Sequence, residues 1–212
     1  FIDRTQLVDR VTATISRNLV EGLLIVMFIL VLFLGNARAG LIVASVIPLS
    51  MLFAFGMMKV FGVGGNLMSL GALDFGIIVD GAVIIVECVS SYVATHGVKF
   101  GRKRLSQADM DKVVAHSAGK MMSSAAFGEI IIMTVYIPLF TLVGIEGKMF
   151  RPMAMTVFFA VLGAFILSLT YVPVASSLFL SKNVKQKENF SDRMMQAIQR
   201  FYYPIVRMSL KH

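Results

Sequence analysis

Long apolar stretches separated by short polar ones set the pattern of this chain. Residues 3–18 are largely polar, but Leu7, Val11, Ile15 and Leu19 recur at every fourth position, the spacing of one helix side. Asp3 is placed to cap this helix. The helix is expected to run into a first apolar span, 19–34, closed by Gly35-Asn36. A second span, 39–58, has 20 residues without a charge and is expected to bend at Pro48. A Gly-rich turn follows, Gly62-Val63-Gly64-Gly65-Asn66. The third span, 67–94, is 28 residues long and holds three carboxylates. A polar stretch, 95–120, separates it from a fourth span, 121–145, with Glu129 and Pro138. The loop 146–151 leads to an uncharged fifth span, 152–180. The tail, 181–212, is basic and weakly amphipathic through Phe190, Met194, Ile198, Phe201 and Tyr202, a pattern suited to a membrane surface. A helix of about 20 apolar residues crosses a bilayer. The pattern therefore predicts an all-α membrane protein: a polar helix over 1–18, five transmembrane helices within 19–180, and an interfacial helix and linker over 181–212.

Composition strengthens this picture. The 212 residues are 57% hydrophobic and 15% charged, against about 25% charged in an ordinary soluble domain. Mean hydropathy is +0.80. A single cysteine excludes an internal disulfide and a Cys-based metal cage. The net charge of +8 would suggest nucleic acid in a soluble protein. Here the basic residues lie between the spans, where they act as topology signals. With the N-terminus outside, the inner segments carry 14 of the 20 Lys and Arg. The positive-inside rule favours that arrangement. The chain opens at Phe1 without Met or a secretory signal and reads as an excerpt from a longer polypeptide.

The third span holds the candidate chemistry. An ionised carboxylate at the bilayer centre costs at least about 2.5–3.5 kcal/mol, yet this span carries Asp74, Asp80 and Glu87. At about 100° and 1.5 Å per residue, Asp80 and Glu87 fall within about 20° of each other and about 10 Å apart along the axis. Asp74 lies about 120° round from Asp80 and about 9 Å nearer the outer end. Asp80 is close to mid-membrane, about 20 Å from the start of the span. Gly71, Gly76 and Gly81 leave room beside the acids for a helix or for water. Burial favours the neutral form of a carboxylate, which lets such a group exchange protons near neutral pH. The competing reading pairs each acid with a Lys or Arg, and no span of this chain supplies one. A relay and an ion pair with a helix beyond the chain are compatible.

Other residues carry weaker signals. Glu129 either assists proton or cation movement or is a polar packing residue near the inner interface. Glu21 lies at a span end, within reach of water. The 15 Met, including Met57-Met58, Met121-Met122 and Met194-Met195, suit apolar filling better than Cu(I) ligation. Neighbours on a helix point about 100° apart, which is poor geometry for gripping one ion. Cys88 reads as a small hydrophobe. His96, His116 and His212 lack the spacing of a zinc site. Arg102-Lys103-Arg104 is a solvated cluster able to touch anionic lipid. No metal site is assignable within the chain. No Gly-rich phosphate loop or Walker Lys-Ser/Thr appears, and no nucleophile–base pair. Neither ATP-driven transport nor hydrolysis is supported, and no cofactor is implied.

The chain resembles the resistance–nodulation–division (RND) superfamily, in particular its heavy-metal-efflux, cobalt–zinc–cadmium (CzcA-like) branch. Residues 66–83, from Asn66-Leu67-Met68 through Asp74-Phe75-Gly76 to Asp80-Gly81-Ala82-Val83, look like that branch's fourth transmembrane helix. Gly128-Glu129, Tyr136-Ile137-Pro138-Leu139-Phe140 and the run 144–154 resemble helix five, its loop and the start of helix six. Ser168 to Pro173 resembles the end of helix six, and Phe201-Tyr202-Tyr203-Pro204 the cytoplasmic helix before helix seven.

The resemblance implies a role for each acid. Asp80 matches the central proton-translocating carboxylate, and Asp74 and Glu87 match acids also required for proton-coupled cation export. An acid at Asp74 points to divalent cobalt, zinc, cadmium or nickel, because copper and silver exporters usually lack it. Cys88 departs from the pattern, standing where many relatives carry Asn. The resemblance implies a secondary active antiporter rather than an enzyme, driven by the proton gradient across a Gram-negative inner membrane. It implies a homotrimer joined to a periplasmic adaptor and an outer-membrane channel. This chain would supply helices two to six, entering from the periplasm and ending in the cytoplasm. The rivals are an RND exporter of copper, silver or organic compounds, and a non-transporting scaffold or inactive fragment.

Overall fold

The computed structural model describes residues 4–64, 75–99, 105–181, 200, 202–204 and 206–208. They are mostly helical, with short turns between helices and no strand among the described residues. We number the helices α1 (Arg4–Leu34), α2 (Ala37–Val60), α3 (Phe75–Lys99), α4 (Gln107–Tyr136), α5 (Gly144–Leu169) and α6 (Tyr171–Phe179), with a 3-10 turn, Ile137–Thr141, after α4.

Local chemistry sets the boundaries. The polar N-terminal segment and the first apolar stretch are one 31-residue helix. Gly35 has φ 58°, outside the helical region, and ends it. Asn36 then caps α2, its side chain accepting from the Arg38 N–H at 3.1 Å. α2 continues through Pro48 to Val60. It closes in a Schellman arrangement, with the Val63 N–H on the Met58 carbonyl at 2.9 Å and the Gly62 N–H on that of Lys59 at 3.4 Å. Gly62 takes φ 64° there. Pro138 ends α4, because its ring cannot follow the carbonyl four residues back.

Two boundaries differ from the hydropathy pattern. The stretch 95–120 is not one polar connection: α3 continues to Lys99, and α4 begins at Gln107, well before the apolar run at Met121. Ser106 starts α4. Its hydroxyl accepts from the Asp109 N–H at 3.2 Å, an N-cap bond, and donates to Asp109 Oδ2 at 2.8 Å. The uncharged stretch 152–180 is two helices, broken at Thr170. Pro173, in the first turn of α6, has no N–H to give the Leu169 carbonyl.

Among the described residues, four helical segments are long and apolar enough to cross a membrane: Ala37–Val60, Phe75–Ala94, Gln107–Thr141 and Gly144–Leu169. The first expected span is shorter, with 15 residues from Val20 to Leu34. The expected tail helix, 181–212, lies largely outside the described residues; residues 200, 202–204 and 206–208 are helical.

The bundle is centred on α2, α3 and α5. α2 packs most extensively against α5, and α3 against α4. Val43, Val46, Ile47 and Ala54 of α2, Ala82, Ile85, Val86 and Val89 of α3, and Ala160, Val161 and Ala164 of α5 are all buried. Small residues permit the close approach: a Cβ on Gly163 would lie 2.7 Å from the Phe53 ring. At the Arg38 end, Ser45 and Tyr171 hydroxyls join α2 to α6 at 2.9 Å. There too Gln107 Nε2 donates to Ser177 Oγ at 3.0 Å and Asp111 Oδ1 at 2.9 Å, and Ser177 donates to Asp111, fastening α4 to α6. The opposite end carries Lys59, Lys148 and Arg151. Large apolar side chains such as Leu24 and Phe28 of α1, Leu52 of α2 and Phe127 and Val135 of α4 face outward. So much apolar surface suits a lipid or protein partner rather than water.

Candidate carboxylate site

α3 presents two unlike faces. Gly76, Asp80, Ile84, Glu87 and Ser91, spaced four, four, three and four residues apart, are exposed and form one outward stripe. The seven residues from Asp80 to Glu87 make almost two whole turns, which is why both acids share the stripe. Ile78, Ala82, Ile85, Val86 and Val89 face the bundle and are buried. The third expected acid, Asp74, lies outside the described residues.

A second carboxylate reaches α3 from behind. Glu129 of α4 is 3% exposed. Its Oε1 lies over Gly81, so that a Cβ there would overlap it; the same Cβ would lie 3.2 Å from Ser168 Oγ of α5. The space that the sequence reserved beside Gly81 is thus filled by a side chain of this chain. Glu129 is level with Gly81, one residue from Asp80. Among the described residues, neither Glu129 oxygen has a hydrogen-bond partner. The sequence reading did not single out Ser168 as a site residue, because it is one of several hydroxyls in the 152–180 run.

The remaining candidates are dispersed. Arg17 Nε donates to Glu21 Oε1 at 2.7 Å within α1, an exposed pair of the kind worth about 0.3–0.5 kcal/mol. Cys88 Sγ lies 3.7 Å from the Ser117 carbonyl, between α3 and α4. His116 packs its ring on Tyr92 with centroids 5.3 Å apart. His96, His212, and Arg102-Lys103-Arg104 lie outside what is described at side-chain level. Among the described residues no three His, Cys, Asp or Glu side chains converge as a metal site would require.

Long apolar helices, four of them able to cross a bilayer, define a multi-pass α-helical membrane protein. Residues 1–212 match the model of the AcrB/AcrD/AcrF family, and the chain belongs to it. It is an RND-type inner-membrane segment of CzcA-like sequence. It is 50% identical over 209 residues to the cobalt-zinc-cadmium resistance protein CzcA of Cupriavidus metallidurans, covering 98% of this chain and 19% of that protein. It is 44% identical over 187 residues to the nickel and cobalt resistance protein CnrA of the same organism, covering 88% and 17%. The crystal structure of a heavy metal efflux pump superposes with a TM-score of 0.68 at 42% identity, over 84% of this chain and 17% of that one. The chain therefore spans about a fifth of the length of the relatives it matches.

Proposed function

We propose that the longer protein containing this chain exports divalent heavy-metal cations in exchange for protons, and that Asp74, Asp80 and Glu87 carry the protons. The observation that carries this reading is the outward stripe: Asp80 and Glu87 share one exposed face of a membrane-spanning helix. Facing lipid, each ionised acid would cost about 2.5–3.5 kcal/mol or more. Covered by a further helix of the same protein, the stripe becomes a polar seam along which protons pass. The relatives' names, cobalt-zinc-cadmium resistance and nickel and cobalt resistance, support a cobalt, zinc, cadmium or nickel cargo.

The cargo's binding site and selectivity reside in parts of the protein outside this chain. The motor works by charge. Protonating Asp80 removes a charge from the seam and changes which partners the face prefers, so the helices repack. The excess of Lys and Arg at the Arg38 end supports a cytoplasmic location for that end and a periplasmic one for the Lys148 end. A homotrimer with a periplasmic adaptor and an outer-membrane channel completes the reading, by resemblance to the family.

The test is Asp80→Asn in the full-length protein. Loss of resistance to cobalt, zinc, cadmium and nickel at normal membrane expression is the expected result. Undiminished resistance would remove Asp80 from the mechanism.

A further inference from the structure

The outward stripe leaves one acid unexplained. Glu129 is enclosed where α3, α4 and α5 meet, 3% exposed and with no hydrogen-bond partner among the described residues. The one donor turned toward it is the Gly81 backbone N–H, and that group is shared. The Gly81 N–H belongs to the α3 ladder, and Ser168 Oγ donates to the Phe165 carbonyl at 2.8 Å. Among the described residues no cation faces it either: the facing stretches 75–94, 121–136 and 152–169 contain no Lys, Arg or His. Their other titratable groups are Asp80, Glu87, Cys88 and Tyr92 on α3 and Tyr136 on α4, while the 152–169 stretch of α5 contributes none; its Glu146, Lys148 and Arg151 lie at the far end of that helix. Tyr171 of α6 is engaged with Ser45. Glu129 lies over Gly81, the residue next to Asp80, and the Asp80 carboxylate carries charge of the same sign.

A carboxylate ion enclosed with no cation and at most one shared backbone N–H is far more costly than the neutral acid. Two carboxyls in electrostatic contact do not readily ionise together. These conditions describe a proton-binding site, whereas an amide would satisfy a purely packing role.

We propose that Glu129 is a proton-holding residue behind Asp80, the pair carrying one negative charge between them and taking up and releasing its proton through the outward face. Only O–H bonds form and break, and the proton comes from and returns to water. Gly81 is the gap that lets the two acids sense each other, since any side chain there would displace Glu129. In this arrangement the charge state of Asp80 also sets how α4 packs on α3. The proposal rests on Asp80 being a proton carrier, and its test separates the two.

The experiment uses the full-length protein in proteoliposomes, with zinc uptake measured against pH for the unmodified protein, Asp80→Asn and Glu129→Gln. Infrared difference spectra of the same samples report the carbonyl stretch of a neutral carboxylic acid. Gln preserves the shape of the neutral acid and cannot titrate. The expected result is that Glu129→Gln still transports but shifts the midpoint of the pH profile toward acid by about one unit, the size of one lost like-charge neighbour. A neutral-acid band should disappear with it. An unchanged profile overturns the proposal, and so does a uniform loss of rate at every pH, which is the signature of a packing defect. Retention of the neutral-acid band in Glu129→Gln overturns it as well. Transport that survives Asp80→Asn defeats the relay itself, whereas the infrared band reports on Glu129 alone.

Discussion

Asp80 and Gly81 are adjacent in sequence and face opposite worlds. Asp80 lies on the exposed stripe with Glu87, while Gly81 is buried against Glu129 and Ser168. On the stripe, acids tolerate charge only if another helix or water covers them. At the junction, an acid is tolerated because it is enclosed and can hold a proton. One turn of α3 thus has a face that exchanges with its surroundings and a face that retains. Charge placed on the first has a route to the second only because residue 81 has no side chain.

The largest break in this comparison comes from filling that gap. Gly81→Val forces side-chain atoms into Glu129 Oε1 and Ser168 Oγ, and overpacking of this kind costs about 1–3 kcal/mol or more. The expected outcome is a sharp fall in folded yield and thermal midpoint of the full-length protein in detergent. Adding Glu129→Ala should restore much of the loss, because it removes the overlapping group; a double-mutant cycle measures that coupling. Gly128→Ala, where no atom lies within 4 Å of the new Cβ, serves as the neutral control. Additive losses without rescue would separate Glu129 from Gly81 energetically.

Much of the outward face was legible in the sequence and the inward junction was not. Periodicity alone put Asp80 and Glu87 on one side, because a seven-residue spacing returns to the same face. Gly35-Asn36 announced the turn between α1 and α2. Hydropathy misplaced the start of α4 because the first turns of that helix are polar. The pair Ser106 and Asp109 was the signal for the true start, and it is chemical rather than apolar. Pro173 marked the break between α5 and α6 inside a run that looks continuous by hydropathy. The contact between Glu129 and Gly81 joins positions 48 residues apart. No local rule reaches it, because it depends on how α3, α4 and α5 cross.

The stripe can be challenged at its midpoint. Ile84 lies between Asp80 and Glu87 and is 39% exposed. If a helix of the longer protein covers this face, Ile84→Trp props the seam open. Zinc transport should then fall about tenfold, equivalent to about 1.4 kcal/mol on the barrier, with membrane expression unchanged. If the face meets lipid, the same substitution should have no effect on transport. That result would leave Asp80 and Glu87 without the covering the relay requires. Leu52→Trp on α2, 67% exposed on a different helix, supplies the comparison.

The smallest effect asks what holds Glu129 in register with Gly81. α4 is anchored far from the junction, by the Ser106 cap and by the Gln107, Asp111 and Ser177 cluster. Ser106→Ala removes the acceptor for the Asp109 N–H and should lower stability by about 1 kcal/mol. The frayed turn lies 23 residues from Glu129 in sequence, about 34 Å along the helix. Packing of Glu129 against α3 and α5 holds the register locally, so the pH profile of zinc transport should stay where it is while the thermal midpoint drops. A profile displaced in the same direction as that of Glu129→Gln would mean that the cap sets the height of Glu129. The retaining face of α3 would then depend on the whole length of α4 rather than on the three-helix junction alone.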